Sequence, residues 1–365
     1  MEIDYQKMTE RTETDYCDFV MDGFGGQYSP DGKRLISAHI GFQEEYSIRE
    51  GTEVICNRAF EISNFNYLKK LIIPESVKAI GKEAFMWFYG VKVECHSPRY
   101  VVENNLLIDN VNREIVGYFG AKDEDIVIPE TIKSVGSTFW NSSIEQITLP
   151  NSITSIEAET FEFCSMLQKV TIPDSITSIG DRAFDECGKL KRIDIPKTVK
   201  SIGKEAFMWC GLRSLIIPNG VKSIGDGAFV SCGLLESITL PNSLVSIGSN
   251  PFALCDKVRI KSRSKRFVIE NEMLIDSNNG RLITYFGNAE HVYVPNTVKT
   301  IGAEAFNYYP IKQITLPPTL ESIEKDAFYL YGKLEKITIR GRKANEIKQM
   351  LPEEWQKIAD VQING

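Results

Sequence analysis

The chain has 365 residues, 42% of them hydrophobic and 25% charged, enough for a packed interior spread over one to three domains. Its formal net charge of −7, evenly mixed in sign, gives no electrostatic reason to expect nucleic acid or an anionic membrane as partner. No apolar run approaches the roughly 20 residues of a membrane helix. The polar start MEIDYQKMTERTETDY lacks the apolar core of a secretory signal, so a cytoplasmic location is expected if Met1 is the native start.

Residues 1–45 read as an N-terminal cap. The stretch GFGGQYSPDGKR (23–34) superficially suggests a phosphate loop. Five residues, not four, separate Gly26 from Gly32, and Arg34 follows Lys33 where Ser or Thr is needed for magnesium. Pro30-Asp31-Gly32 instead marks a turn between short strands.

Residues 46–340 are dominated by one repeat. IDIPKTVKSIGKEAF, ending at Phe207, has counterparts ending at Phe60, Phe85, Phe139, Phe161, Phe184, Phe229, Phe252, Phe306 and Phe328, ten copies in all. Contiguous copies lie 21 to 23 residues apart (Pro150, Pro173, Pro196, Pro218, Pro241). Leu190, Ile193 and Ile195 predict a short strand that Pro196 ends, having no N–H to donate. Val199 and Ile202 begin a second extended segment, Gly203 permits a bend, and the Ala-Phe pair points inward. One such unit cannot bury its apolar side chains alone, whereas stacked copies close a continuous core. The expected fold is an α/β-type repeat solenoid of predominantly short strands, with about ten rungs.

Two gaps interrupt the period, 55 residues from Pro74 to Pro129 and 54 from Pro241 to Pro295. SPRYVVENNLLIDNVNREIVGYFG (97–120) matches SKRFVIENEMLIDSNNGRLITYFG (264–287) at a constant offset of 167, so a block of about that length is duplicated. Each insertion, about 96–126 and 263–292, reads as a β-hairpin around a polar turn that enlarges one rung. Residues 341–365 predict a C-terminal helical cap, split at Pro352, with Ile347, Met350, Leu351, Trp355 and Ile358 covering the last rung.

Three constellations invite a chemical reading. Cys164, Cys187, Cys210, Cys232 and Cys255 each lie three residues after a repeat Phe, as a metal or redox stripe would. Ser63, Phe88, Ser142, Tyr309 and Tyr331 replace them elsewhere, so no ligand set is maintained and a small buried position is expected. Ser134, Ser155, Ser178, Ser201, Ser223, Ser246 and Ser322 form a second ladder with no recurring His, whereas a nucleophile needs one unique hydroxyl beside a base. No catalytic residue, metal or cofactor is therefore assigned. Aromatics crowd the third: Trp87, Tyr89, Trp140, Phe163, Trp209, Tyr308 and Tyr329 follow the repeat Phe, and Tyr100, Tyr118, Phe267 and Tyr285 are expected to project on the hairpins. These form the candidate interaction surface, since aromatics are enriched at interface hot spots.

The L-x-x-I-x-I-P…I-G-x-x-A-F-x-x-C unit resembles the leucine-rich repeat of the BspA-like (Treponema pallidum-type) class of bacteria, over about residues 46 to 340. That resemblance implies a right-handed leucine-rich-repeat superhelix, a non-enzymatic binding scaffold, and host or cell-surface interaction. A surface or secreted location is the corresponding alternative to the cytoplasm. A protein partner is expected first. A polysaccharide stacked on Trp87, Trp140 and Trp209 is the alternative.

Overall fold

The computed structural model describes residues 5–61, 67–120, 126–255, 257–328 and 334–363. The chain divides into two compact units, 1–176 and 177–365, each built of β-solenoid turns. Most turns contribute a strand on the side of the repeat Pro and a two-residue strand at the Ser-Ile step, whereas the strand expected over Leu190, Ile193 and Ile195 is an extended segment without regular strand pairing.

In unit 1, the Pro-side strands Glu45–Ser47, Lys70–Ile73 and Lys92–Cys95 pair in parallel, as do Ile126–Val127, Gln146–Thr148 and Lys169–Thr171. Alternation sets their faces: Ile147 is buried between exposed Gln146 and Thr148. In unit 2 the same ladder runs through Ser214–Ile216, Ser237–Leu240 and Arg259–Ser262, and through His291–Tyr293, Gln313–Leu316, Lys336–Arg340 and Ala359–Gln362. With the 193–195 segment this makes about 14 turns rather than ten. The additional four strands, Lys92–Cys95, Arg259–Ser262, Lys336–Arg340 and Ala359–Gln362, carry no Pro and no following I-G step, which hid them from the repeat pattern.

Opposite them lies a ladder of Phe rings. Phe184, Phe207, Phe229 and Phe252 are fully buried and stack at 5.2, 5.6 and 5.6 Å between successive centroids. Phe139 and Phe161 do the same at 5.8 Å in unit 1. The Gly of the I-G step serves close approach rather than a bend. A Cβ on Gly203 would lie 2.5 Å from the Asp181 backbone nitrogen, and Gly203 does not have positive φ.

Each insertion is a three-stranded antiparallel meander, one strand more than the expected hairpin. Tyr100–Glu103, Leu106–Asp109 and Glu114–Tyr118 form the first, and Phe267–Glu270, Met273–Asp276 and Arg281–Tyr285 the second. Both carry a register shift at the same place, Leu107/Ile108 and Leu274/Ile275. The N-terminal strands Val20–Met21, Gly26–Tyr28 and Arg34–Ala38 repeat this arrangement, with the shift at Gln27/Tyr28. The chain thus contains a third meander, of which the sequence shows the Pro30-Asp31-Gly32 turn between two short strands but not the third strand. In each, the last strand joins the Ser-Ile ladder in parallel: Arg34 pairs with Val54, Glu114 with Ser134, and Arg281 with Thr300.

At the C-terminus, the helices Ala344–Gln349 and Glu353–Gln356 flank Pro352. Ile347 and Leu351 are buried, Ile358 is partly buried, Met350 is exposed, and Trp355 meets Phe328 edge-on at 4.9 Å. The closing strand Ala359–Gln362 departs from the helical cap that the sequence predicts, because its backbone extends the parallel ladder on Lys336–Arg340.

Candidate interaction surface

Two residues in most turns adopt left-handed backbone, two before and two after the repeat Phe. The second set comprises Trp87, Asn141, Phe163, Glu186, Trp209, Ser231, Leu254 and Tyr308, with φ between 52° and 68°. The backbone reason is visible in the hydrogen bonds. Trp209 N–H donates to the Val230 carbonyl at 2.9 Å and Ser231 N–H to that of Ala253 at 2.8 Å, so each corner is tied to the next turn. Left-handed backbone costs an L-residue about 1 kcal/mol and is cheapest for Gly or Asn. The corner dictates backbone and leaves the side chain unconstrained, as Asn141, Glu186 and Ser231 show.

Unit 2 contains the most exposed of the candidate residues. Trp209 shows 55% of its surface to solvent. Tyr308, at the equivalent corner, is half-buried. In unit 1, Trp87, Tyr89, Trp140 and Phe163 are all half-buried. Trp140 and Phe163 meet edge-on at 5.5 Å, the Trp140 indole donates to Glu162, and the Arg58 guanidinium lies 5.7 Å from the Trp140 ring. Tyr89 donates to the Asn141 carbonyl and packs near Tyr118. Tyr329 lies outside the described residues.

The expectation that the insertion aromatics project is corrected. Tyr100, Tyr118, Phe267 and Tyr285 are all buried. The last meander strand takes the place of a normal turn, so Tyr118 and Tyr285 enter the ring ladder, each 5.7 Å from the next Phe, Phe139 and Phe306. Tyr100 and Phe267 are covered by Arg99 and Arg266, whose guanidinium carbons lie 5.7 and 5.1 Å from the rings. Asp109 and Asp276 clamp those guanidinium groups at 2.7 Å. Burial would raise the Asp276 carboxyl, but hydrogen bonds from Arg266 and the Asn278 backbone hold it below its usual range.

The cysteine stripe is structural. Cys210, Cys232 and Cys255 donate to the carbonyls of Phe184, Phe207 and Phe229 at 3.0 Å, and Cys164 to Phe139 at 2.9 Å. Burial raises the Cys210 thiol, keeping it protonated and a donor. Tyr309 reaches the Phe252 carbonyl from the same sequence position, at 3.4 Å. Among the described residues, no three His, Cys, Asp or Glu side chains could together hold a metal ion.

Sequence reasoning missed two features. The Pro-side ladder exposes apolar side chains, Val127 (63%) in unit 1 and Ile216 (67%) in unit 2. A cavity of about 600 Å³ in unit 1 is bordered by Glu114, Glu157, Trp140 and Tyr89. Its signal was the Glu that replaces Gly at position 157, a break in the I-G step.

The BspA type leucine rich repeat region matches residues 41–101, 119–211, 200–285 and 281–365. Among solved structures, the chain is similar to a leucine-rich repeat protein from Eubacterium ventriosum ATCC 27560, at 23% identity and a TM-score of 0.50. That match covers 67% of this chain and 66% of the other, just under two thirds of its length. It is also similar to a leucine-rich repeat protein from Bacteroides ovatus ATCC 8483 (19% identity, TM-score 0.46, covering 95% and 100%). A leucine rich cell surface protein from Faecalibacterium prausnitzii A2-165 matches at 20% identity and a TM-score of 0.42, covering 95% of each chain. No curated protein matches the chain significantly. Among the described residues, no helix is long and apolar enough to cross a membrane. With its family pattern spread over most of the sequence and its turns built as that pattern requires, the chain belongs to the BspA-type leucine-rich repeat family.

Proposed function

We propose that the chain is a non-enzymatic scaffold that binds a protein partner through the corner that follows each repeat Phe. Trp209 carries this reading. An indole stands more than half exposed at a left-handed position where Asn141, Glu186 and Ser231 serve the fold equally well. Neither packing nor backbone asks for Trp there, and an exposed aromatic on a rigid frame is what an interface anchor requires. The flanking turns are fixed by the ring and thiol ladders, so the anchor is presented with little conformational entropy left to lose.

Stacking on a polysaccharide draws less support. Trp87 and Trp140 are half-buried, and the Trp140 indole N–H is committed to Glu162. The test is photo-crosslinking from position 209 in cells of the producing organism. A discrete protein adduct, lost when the crosslinker sits at exposed Arg192 on the Pro side instead, supports the proposal. Identical adducts from both positions overturn it.

A further inference from the structure

The three meanders present one residue each at a single register position, and two of these residues are arginines. Arg34 reaches Asp15 at 3.0 Å and the carbonyls of Met8 and Glu10 at 2.6 and 2.8 Å. Arg281 is gripped by Glu324 in a two-pronged pair, Nε to Oε1 and Nη2 to Oε2, both 2.8 Å. Glu324 stands where most turns have the Gly of the I-G step. In the remaining meander the cation is replaced by Glu114, bridged to Ser134 as Arg281 is paired with Thr300. The carboxylate partner is retained, because Glu157 is the duplicate of Glu324 at the offset of 167.

Two carboxylates therefore occupy a site that elsewhere holds one carboxylate and one guanidinium. Glu157 Oε2 is shielded from solvent and accepts no hydrogen bond. Both groups border the 600 Å³ cavity of unit 1. Gly136, at φ 54°, puts no side chain in the way; a Cβ there would approach Glu114 Oε1 to 3.2 Å. The local step is also one residue shorter, with three positions from Gly136 to Phe139 against four from Gly302 to Phe306. Arg99, on the cavity wall, is already committed to Asp109 at 2.7 Å.

We infer that the Glu114–Glu157 cavity receives the guanidinium of an arginine side chain presented by a partner polypeptide, in the place that Arg281 fills from within the second block. The inference deepens the scaffold reading, on which it rests for the source of the cation. A planar guanidinium matches a carboxylate with two parallel hydrogen bonds, and Glu324 shows the frame supporting that geometry. Trp140 and Tyr89 on the wall suit the alkyl stem and the flat face of the same side chain. Burial, then the Asp109 and Glu157 charges, raise the Glu114 carboxyl against the pull of Lys82. Burial also raises Glu157, against hydrogen bonds from its own backbone, Ser134 and Val135. A bound cation relieves both carboxylates, so binding tightens as pH rises.

The test titrates the full chain with the peptide acetyl-Gly-Arg-Gly-amide and with the citrulline peptide of the same shape, by calorimetry. Saturable binding of the arginine peptide alone is expected, weakened at least about tenfold by Glu114→Gln or Glu157→Gln. Glu114→Arg, which rebuilds the pair of the second block internally, abolishes binding and raises the melting temperature. Equal binding of the citrulline peptide, unchanged binding in either Gln variant, or saturation by calcium chloride instead would each overturn the inference. If the arginine peptide fails to bind while position 209 still crosslinks its partner, this inference falls and the scaffold reading stands.

Discussion

Cys232 Sγ lies 3.0 Å from the carbonyl oxygen of Phe207, one turn earlier in the chain. The same contact recurs at Cys210 and Cys255, so each thiol adds a second hydrogen bond to a Phe carbonyl that already accepts a backbone N–H within its own turn, at 3.2 Å from Cys210 to Phe207. Replacing Cys232 with Ala removes the donor and opens a small void. The expected loss is about 1–3 kcal/mol in urea unfolding. An unchanged midpoint would show that the ladder thiols carry nothing.

Accessibility gives a second reading of the same ladder. Cys17 is exposed, and Cys164, Cys187, Cys210, Cys232 and Cys255 are buried. Iodoacetamide followed by peptide mass mapping is expected to label Cys17 in the native chain, and the five ladder cysteines only after unfolding. Fast native labelling of Cys210 would contradict the structure.

Phe207 is sandwiched between Phe184 and Phe229 at 5.2 and 5.6 Å with no exposed surface. Phe207→Ala is expected to cost about 3–5 kcal/mol and Phe207→Leu distinctly less, read from denaturant midpoints at constant slope.

The repeat itself was plain in the sequence because burial repeats: Pro196 and Phe207 have counterparts in most turns, and their spacing sets the ladder. The Pro-less strands were not plain, because Lys336–Arg340 and Ala359–Gln362 hold their place by backbone pairing, which leaves no residue signature. Of the N-terminal meander only the Pro30-Asp31-Gly32 turn was plain, and its kinship to the other two was hidden for the same reason. Its register shift at Gln27/Tyr28 matches the other two, while its residues do not. Tyr118 and Tyr285 looked like projecting aromatics because strand alternation cannot say which face a neighbouring turn will cover. The corner at Trp209 was visible as an aromatic excess, but its left-handed backbone was not. Any residue type can be forced into that conformation by the tie to the next turn.

Asp185 is a buried carboxyl with one oxygen paired to Arg182 and the other, Oδ1, without a partner. Burial outweighs Arg182 and pushes it up to about 6. A raised carboxyl contributes full stability below its unfolded value near 3.8 and loses it as pH rises through about 6. Asp185→Asn is therefore expected to stabilise the chain at pH 7.5 by on the order of 1–3 kcal/mol, with the gain gone at pH 4. An equal effect at both pH values would contradict this origin.

The central claim is that the corner aromatics serve a partner and not the fold, and Trp209→Asn tests it most directly when melting and crosslinking are measured on one variant. With a benzoylphenylalanine crosslinker at Glu186 set to capture the partner from beside the anchor, the account predicts a melting temperature unchanged or raised, since Asn relieves up to about 1 kcal/mol of left-handed strain. The adduct should be lost in the same variant. A melting temperature lowered by several degrees with the adduct retained would contradict it.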